Sequence, residues 1–153
     1  TVGAENVNAE TMLYADETGK LMAVLPEDHP LAALEKIPAS ALAEQPFILL
    51  DKAGERDRDV MQVFERAGIV PKVRFTTLDD YAVMSMVEHG LGVSILPKLI
   101  LRRIPYRVAL RPLEQPVFRQ IGLATRLGEE LSPAAKRFLS YLPYRDGDTL
   151  SEK

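Results

Sequence analysis

FILLDKAGERDRDVMQVFERAGIVPKVRFTTLDDYAVMSMVEHGLGVSIL, residues 47–96, switches repeatedly between two hydrophobic patterns. Phe47–Leu50 is a short run with no polar member, which reads as a buried strand. Asp51–Glu55, with Gly54 inside it, reads as a loop. From Arg56 to Ala67 the apolar residues Val60, Val63, Phe64 and Ala67 fall at helical spacing, and Gly68 is a natural C-terminal stop. Lys72–Thr76 is β-prone, and Asp79 or Thr77 can cap a second helix whose stripe is Val83, Met86 and Val87 and whose stop is Gly90. Gly92–Leu96 is a further strand, closed by Pro97. Strand, helix, strand, helix, strand is the alternation of βαβ units, so the expected fold is α/β, with a mixed, largely parallel sheet covered by helices.

Working outward, Leu21–Leu25 is a buried strand stopped by Pro26, and the alanine-rich 31–45 segment, interrupted by Pro38, reads as two short helical pieces. On the C-terminal side, Arg107–Leu110 and Arg119–Thr125 are strand candidates separated by a proline-containing turn at 112–116. Ser132 followed by Pro133 is a helix start, with Ala135, Phe138, Leu139 and Leu142 as its stripe. After Pro143 the polar tail is expected to fray.

The composition is that of a globular chain: with 46% hydrophobic and 27% charged residues over 153 positions, a real core forms and no 18-residue apolar run suggests a membrane span. The net charge of -3 argues against this chain being a surface that grips nucleic acid. Without cysteine there is no disulfide framework or thiolate chemistry, which fits a reducing compartment without requiring one. Thr1–Gly19 lacks the cationic and apolar segments of a signal or transit peptide, and the compartment is only weakly constrained by these features.

Residues for catalysis are scarce. His29 precedes Pro30 in a turn, and His89 sits at a helix end where a cation opposes the helix dipole. Asp79/Asp80 and Glu129/Glu130 are adjacent in sequence and point apart on a helix, which suits surface or first-turn roles. Ser85 and Ser94 lack a nucleophile elbow, and Gly90 and Gly92 lack the third glycine of a dinucleotide fingerprint and read as a tight helix-to-strand turn. No catalytic residue, metal ligand or cofactor is expected. What remains are polar loops at strand ends, where open α/β sheets collect ligands: Asp51, Lys52, Ala53 and Gly54 after one strand, and Thr76, Thr77 and Leu78 after the next. Free amides at the following helix N-termini would suit a carboxylate or another small anion, with the threonine hydroxyls as partners and Lys52 as a nearby charge.

Five segments carry a family resemblance: His29-Pro30-Leu31-Ala32, Gln45-Pro46-Phe47-Ile48-Leu49-Leu50, Ala67-Gly68-Ile69-Val70-Pro71, the run from Val87 to Pro97, and Leu131-Ser132-Pro133-Ala134-Ala135. Taken in order, they resemble the effector-binding domain of LysR-type transcriptional regulators, over about Leu21 to Leu142. The resemblance implies a periplasmic-binding-protein-like architecture of two α/β subdomains with an effector cleft between them. It further implies a small-molecule effector, a winged helix-turn-helix elsewhere that contacts DNA, and homodimers or homotetramers.

On that template residues 20–125 correspond to the complete second subdomain, 1–19 and 126–143 to remnants of the first, and 144–153 to a flexible tail. Most of the first subdomain has no counterpart here, so weak effector binding and self-association are expected. The template also assigns Gly54 a close backbone approach at a helix N-terminus, and Thr76 and Thr77 hydrogen bonding near the hinge. A solute-binding protein of a transport system, which shares the architecture, is the alternative; an enzyme would need a convergent nucleophile and base that these residues do not supply.

Overall fold

The computed structural model describes residues 7–8, 19–52, 55–119, 125–126 and 130–141. The chain divides into two compact units, one of residues 15–119 and one formed by 1–14 with 120–153. In the larger unit the strands are β2 (Leu21–Pro26), β3 (Phe47–Lys52), β4 (Glu55–Arg56), β5 (Val73–Thr77), β6 (Ser94–Pro97) and β7 (Val108–Pro112). Its helices are α1 (Ala39–Ala43), α2 (Arg58–Arg66) and α3 (Asp80–Glu88). In the smaller unit β1 (Val7–Asn8) pairs antiparallel with β8 (Thr125–Arg126), and α4 spans Pro133–Leu139.

The 47–97 segment forms the expected βαβαβ unit: α2 connects β3 to its parallel neighbour β5, and α3 connects β5 to β6. The β3 and β6 halves meet at one parallel bridge, Phe47 with Val93, through Ile48 N–H to the Val93 carbonyl and Val93 N–H to the Pro46 carbonyl, both 2.9 Å. Beyond this seam β2 lies antiparallel between β6 and β7. The sheet is mixed as expected, but its parallel share is smaller than the alternation suggested. Parallel pairing follows the strands joined by full helices; β2 is joined to β3 through a 3-10 turn and the short α1, and β6 to β7 through another 3-10 turn, connections that impose no βαβ crossover.

Side-chain alternation explains why the strands are apolar throughout. Phe47 and Leu49 of β3, with Leu21, Ala23 and Leu25 of β2, belong to one buried cluster with Val60, Val63 and Phe64 of α2. Ile48, Leu50 and Val24 belong to another with Val83, Met84 and Val87 of α3. Both faces of the sheet are therefore covered. Phe47 meets Phe64 edge to face at 5.1 Å, a favoured aromatic geometry.

Local signals place most boundaries. Asp57 caps α2, its Oδ1 accepting from Val60 N–H at 3.3 Å. Gly90 ends α3 at φ 71, and Leu91 N–H closes back on the Met86 carbonyl at 3.0 Å. Gly92 has a different reason: a Cβ there would overlap the Pro46 carbonyl oxygen, with the carbonyl carbon at 3.1 Å and Ile48 Cγ1 at 3.3 Å. It permits the backbones to close at the seam, so the tight-turn reading holds for Gly90 and not for Gly92. Ser94, buried, completes the seam by donating its hydroxyl to the Ile48 carbonyl at 2.7 Å.

Two further differences concern the sequence reading. Asp51–Glu55 is not all loop: β3 runs on to Lys52 and pairs with β4, which takes Arg56 out of the helix. In α4, Ser132 caps as expected by accepting from Ala135 N–H at 3.2 Å, while Phe138 is 60% exposed. The Leu139 side chain, Leu142, the 144–153 tail, and residues 120–124 of the expected 119–125 strand lie outside the described residues, as does most of 1–19.

Candidate functional site

The ends of β3 and β5 are adjacent because Leu50 pairs with Thr77, and α2 and α3 both start beyond these strand ends. This brings Asp51 and the Thr76–Leu78 segment to one end of the sheet. Asp51 is half-buried, and its Oδ1 is buried without a hydrogen-bond partner among the described residues. Thr76 points to solvent from β5, and Leu78 is 68% exposed. The Thr77 hydroxyl oxygen accepts from Asp79 N–H at 3.3 Å. Lys52 has its backbone in the hairpin with Glu55, while its side chain, and all of Ala53 and Gly54, lie outside the described residues.

The helix starts differ from the expected open anion cradles. Asp79, the capping residue of α3, accepts from Tyr81 N–H at 2.8 Å, just as Asp57 accepts from Val60 at the start of α2. Each first turn carries a second acid, Asp59 and Asp80. The amides of Val60 and Tyr81, on which an anion could have settled, are therefore occupied by the chain's own carboxylates, which also satisfy the helix dipoles. Asp80 Oδ1 is a second buried oxygen without a partner among the described residues. A buried, unsatisfied carboxylate oxygen is costly and calls for a donor.

Arg119, at the last position of the larger unit, was not among the sequence candidates. Its Nη2 donates to Asp57 Oδ2 and its Nε to Asp59 Oδ2, the latter at 2.9 Å. Burial acts to lower the pKa of the guanidinium, but the hydrogen bonds and charges of Asp57 and Asp59 outweigh it and raise the pKa above that of a free arginine. Arg119 N–H also donates to the Gly19 carbonyl at 2.8 Å, tying together the two chain segments at that edge. Nothing local in the sequence marks this cluster, whose members are about 60 residues apart.

The histidines have structural partners. His29 Nδ1 accepts from Leu31 N–H at 3.2 Å to start the 3-10 turn Pro30–Ala33, and His89 donates Nδ1–H to the Ser85 carbonyl at 2.8 Å as it closes α3. Among the described residues no group of three or more His, Cys, Asp or Glu side chains is placed to hold a metal, and no helix is long and apolar enough to cross a membrane.

A sheet covered on both faces, with polar side chains gathered where its parallel strands end, defines an α/β ligand-binding module. The chain belongs to the LysR substrate-binding-domain family, whose model, described as the LysR substrate binding domain, matches residues 18–145. It is 33% identical over 142 residues to YybE of Bacillus subtilis (strain 168), described as an uncharacterized HTH-type transcriptional regulator, covering 93% of this chain and 48% of that protein. The chain thus spans about half the length of the relatives it matches. In structure it is similar to HinK, a LysR family transcriptional regulator from Pseudomonas aeruginosa, with a TM-score of 0.73 at 25% identity over 89% of this chain and 47% of that one. The effector binding domain of QuiR in complex with shikimate shares the fold, with a TM-score of 0.68 at 23% identity over 92% of this chain and 65% of that one.

Proposed function

We propose that this chain is the effector-binding part of a cytoplasmic LysR-type transcription regulator and acts by binding a small molecule, with no cofactor of its own. The family match over residues 18–145 carries this reading, and the strand-end loops supply its site. In it, Asp51–Gly54 and Thr76–Leu78 contact the effector. The Thr77 oxygen is one acceptor there, and Asp51 Oδ1 and Asp80 Oδ1 are two more that lack donors among the described residues. The group of the effector that meets this side is accordingly a hydrogen-bond donor, because these oxygens accept and the Val60 and Tyr81 amides are already taken by Asp57 and Asp79.

Effector binding favours one arrangement of the regulator over another and thereby changes DNA binding by a separate winged helix-turn-helix domain. Such coupling requires that the effector's affinity differ between the two arrangements. The working form is a homodimer or homotetramer. The test is Thr77→Val in the full-length regulator, read as effector-dependent transcription of its target promoter. The expected result is a weakened effector response in a regulator that still folds; an unchanged response would remove Thr77 from the site, and a regulator that never responds to any small molecule would overturn the reading.

A further inference from the structure

A cavity of about 270 Å³ opens between the start of α1, the C-terminal half of α2 and the 113–117 segment. Ile37, Val63, Leu113 and Val117, all buried, form an apolar floor. Its rim carries two exposed charges of opposite sign, Arg66 on α2 and Glu114 on the other lining segment, and among the described residues neither has an ion-pair partner. Arg66 is the basic residue of the last turn of α2, a position that offsets the helix dipole. That accounts for one charge. It does not account for an unpaired carboxylate on the facing segment, or for the hollow between them.

We propose that this cavity is a second small-molecule site, for an α-amino acid with an apolar side chain. The carboxylate pairs with Arg66, the ammonium with Glu114, and the side chain rests on the floor. At about 30 Å³ per water the hollow has room for roughly nine waters, enough for an amino acid of leucine size. A simple carboxylic acid would bring its charge against Glu114, and a simple amine would bring its own against Arg66. The zwitterion matches both. The site is distinct from the strand-end loops, since α2 rises about 12 Å from Arg58 to Arg66 and the two lie at its opposite ends.

The test is a titration of the isotope-labelled 153-residue chain with L-leucine, 4-methylpentanoate and isopentylamine, followed by amide NMR shifts. L-leucine is expected to bind with a Kd of about 1 mM, as befits a ligand of this size. The shifts should centre on Val63, Ala67, Leu113 and Val117, with each single-headed analogue about tenfold weaker. Arg66→Gln should weaken leucine binding about tenfold. Ala67→Leu, placed at an exposed lining position, should abolish it by filling the opening. Thermal melting confirms that both variants fold. Absence of saturable shifts at these amides, equal affinity for the analogues, or shifts centred on Thr76–Leu78 instead would each overturn the proposal.

Discussion

Gly92→Ala removes no contact and adds one methyl group, yet it should be among the most damaging substitutions in the chain. The new carbon would overlap the backbone carbonyl of Pro46, which cannot rotate away as a side-chain tip could. Relief requires the 46–48 and 92–94 segments to separate, which breaks the two 2.9 Å bonds across the seam and the Ser94–Ile48 bond at 2.7 Å. At about 1 kcal/mol each, their loss amounts to about 3 kcal/mol, at the upper end of what an overpacked methyl usually costs. In a domain of this length that corresponds to a drop of about 10 °C in Tm. Gly90→Ala is the comparison, because Gly90 has open space around its Cα and a φ of 71, leaving only backbone strain of about 1 kcal/mol. Urea unfolding of both variants measures the difference, and hydrogen exchange should show faster exchange at Ile48 and Val93 in Gly92→Ala alone. Equal costs for the two substitutions would refute the close-approach argument.

Three further outcomes are expected. Arg119→Met leaves Asp57 and Asp59 facing each other without their cation; because Arg119 is 23% exposed, the loss should be about 1–3 kcal/mol by urea denaturation, below that of a fully buried pair. Asp79→Ala, which frees the Tyr81 amide, should cost about 1 kcal/mol and shorten α3 by a turn in amide-exchange protection. The hydrogen bond from Lys72, and then its charge, hold the Glu44 carboxyl below its usual 4.5, so this pair stabilises the fold above that value and its contribution is lost as pH falls through the depressed one. Glu44 is fully exposed, so Glu44→Gln should lower Tm only slightly at neutral pH in low salt, and the difference should vanish in acid or high salt, as calorimetry can verify.

The βαβαβ segment was legible because each signal in it is local: uniform apolar runs for doubly covered strands, a helical stripe through Val60, Val63 and Phe64, and glycines at both helix ends. The β4 hairpin was not, because Glu55–Arg56 has no apolar alternation to mark it as a strand. Gly92 was visible as a glycine, but the Pro46 carbonyl that requires it lies far away in sequence. The same holds for the strand-end loops. Asp51 and Thr76–Leu78 could be placed at strand ends from the alternation, and either Thr77 or Asp79 could be named as a cap, but the pairing of Asp57 and Asp59 with Arg119 depends on tertiary closure. The expectation of open amides failed for a local reason that the sequence did contain: Asp57 and Asp79 each stand at a helix start.

The position of β2 between β6 and β7 bears on how the chain is made. β2 leaves the ribosome before either neighbour, and Leu21 and Met22 must wait for Pro97 and Pro112, roughly 75 and 90 residues later. Until then LMAVL is an apolar strand whose two partner strands have yet to be made. The β3–α2–β5 unit can assemble from near neighbours in the meantime. Refolding yield should therefore fall steeply with protein concentration, and a holdase that recognises short apolar segments should find its target at residues 21–25.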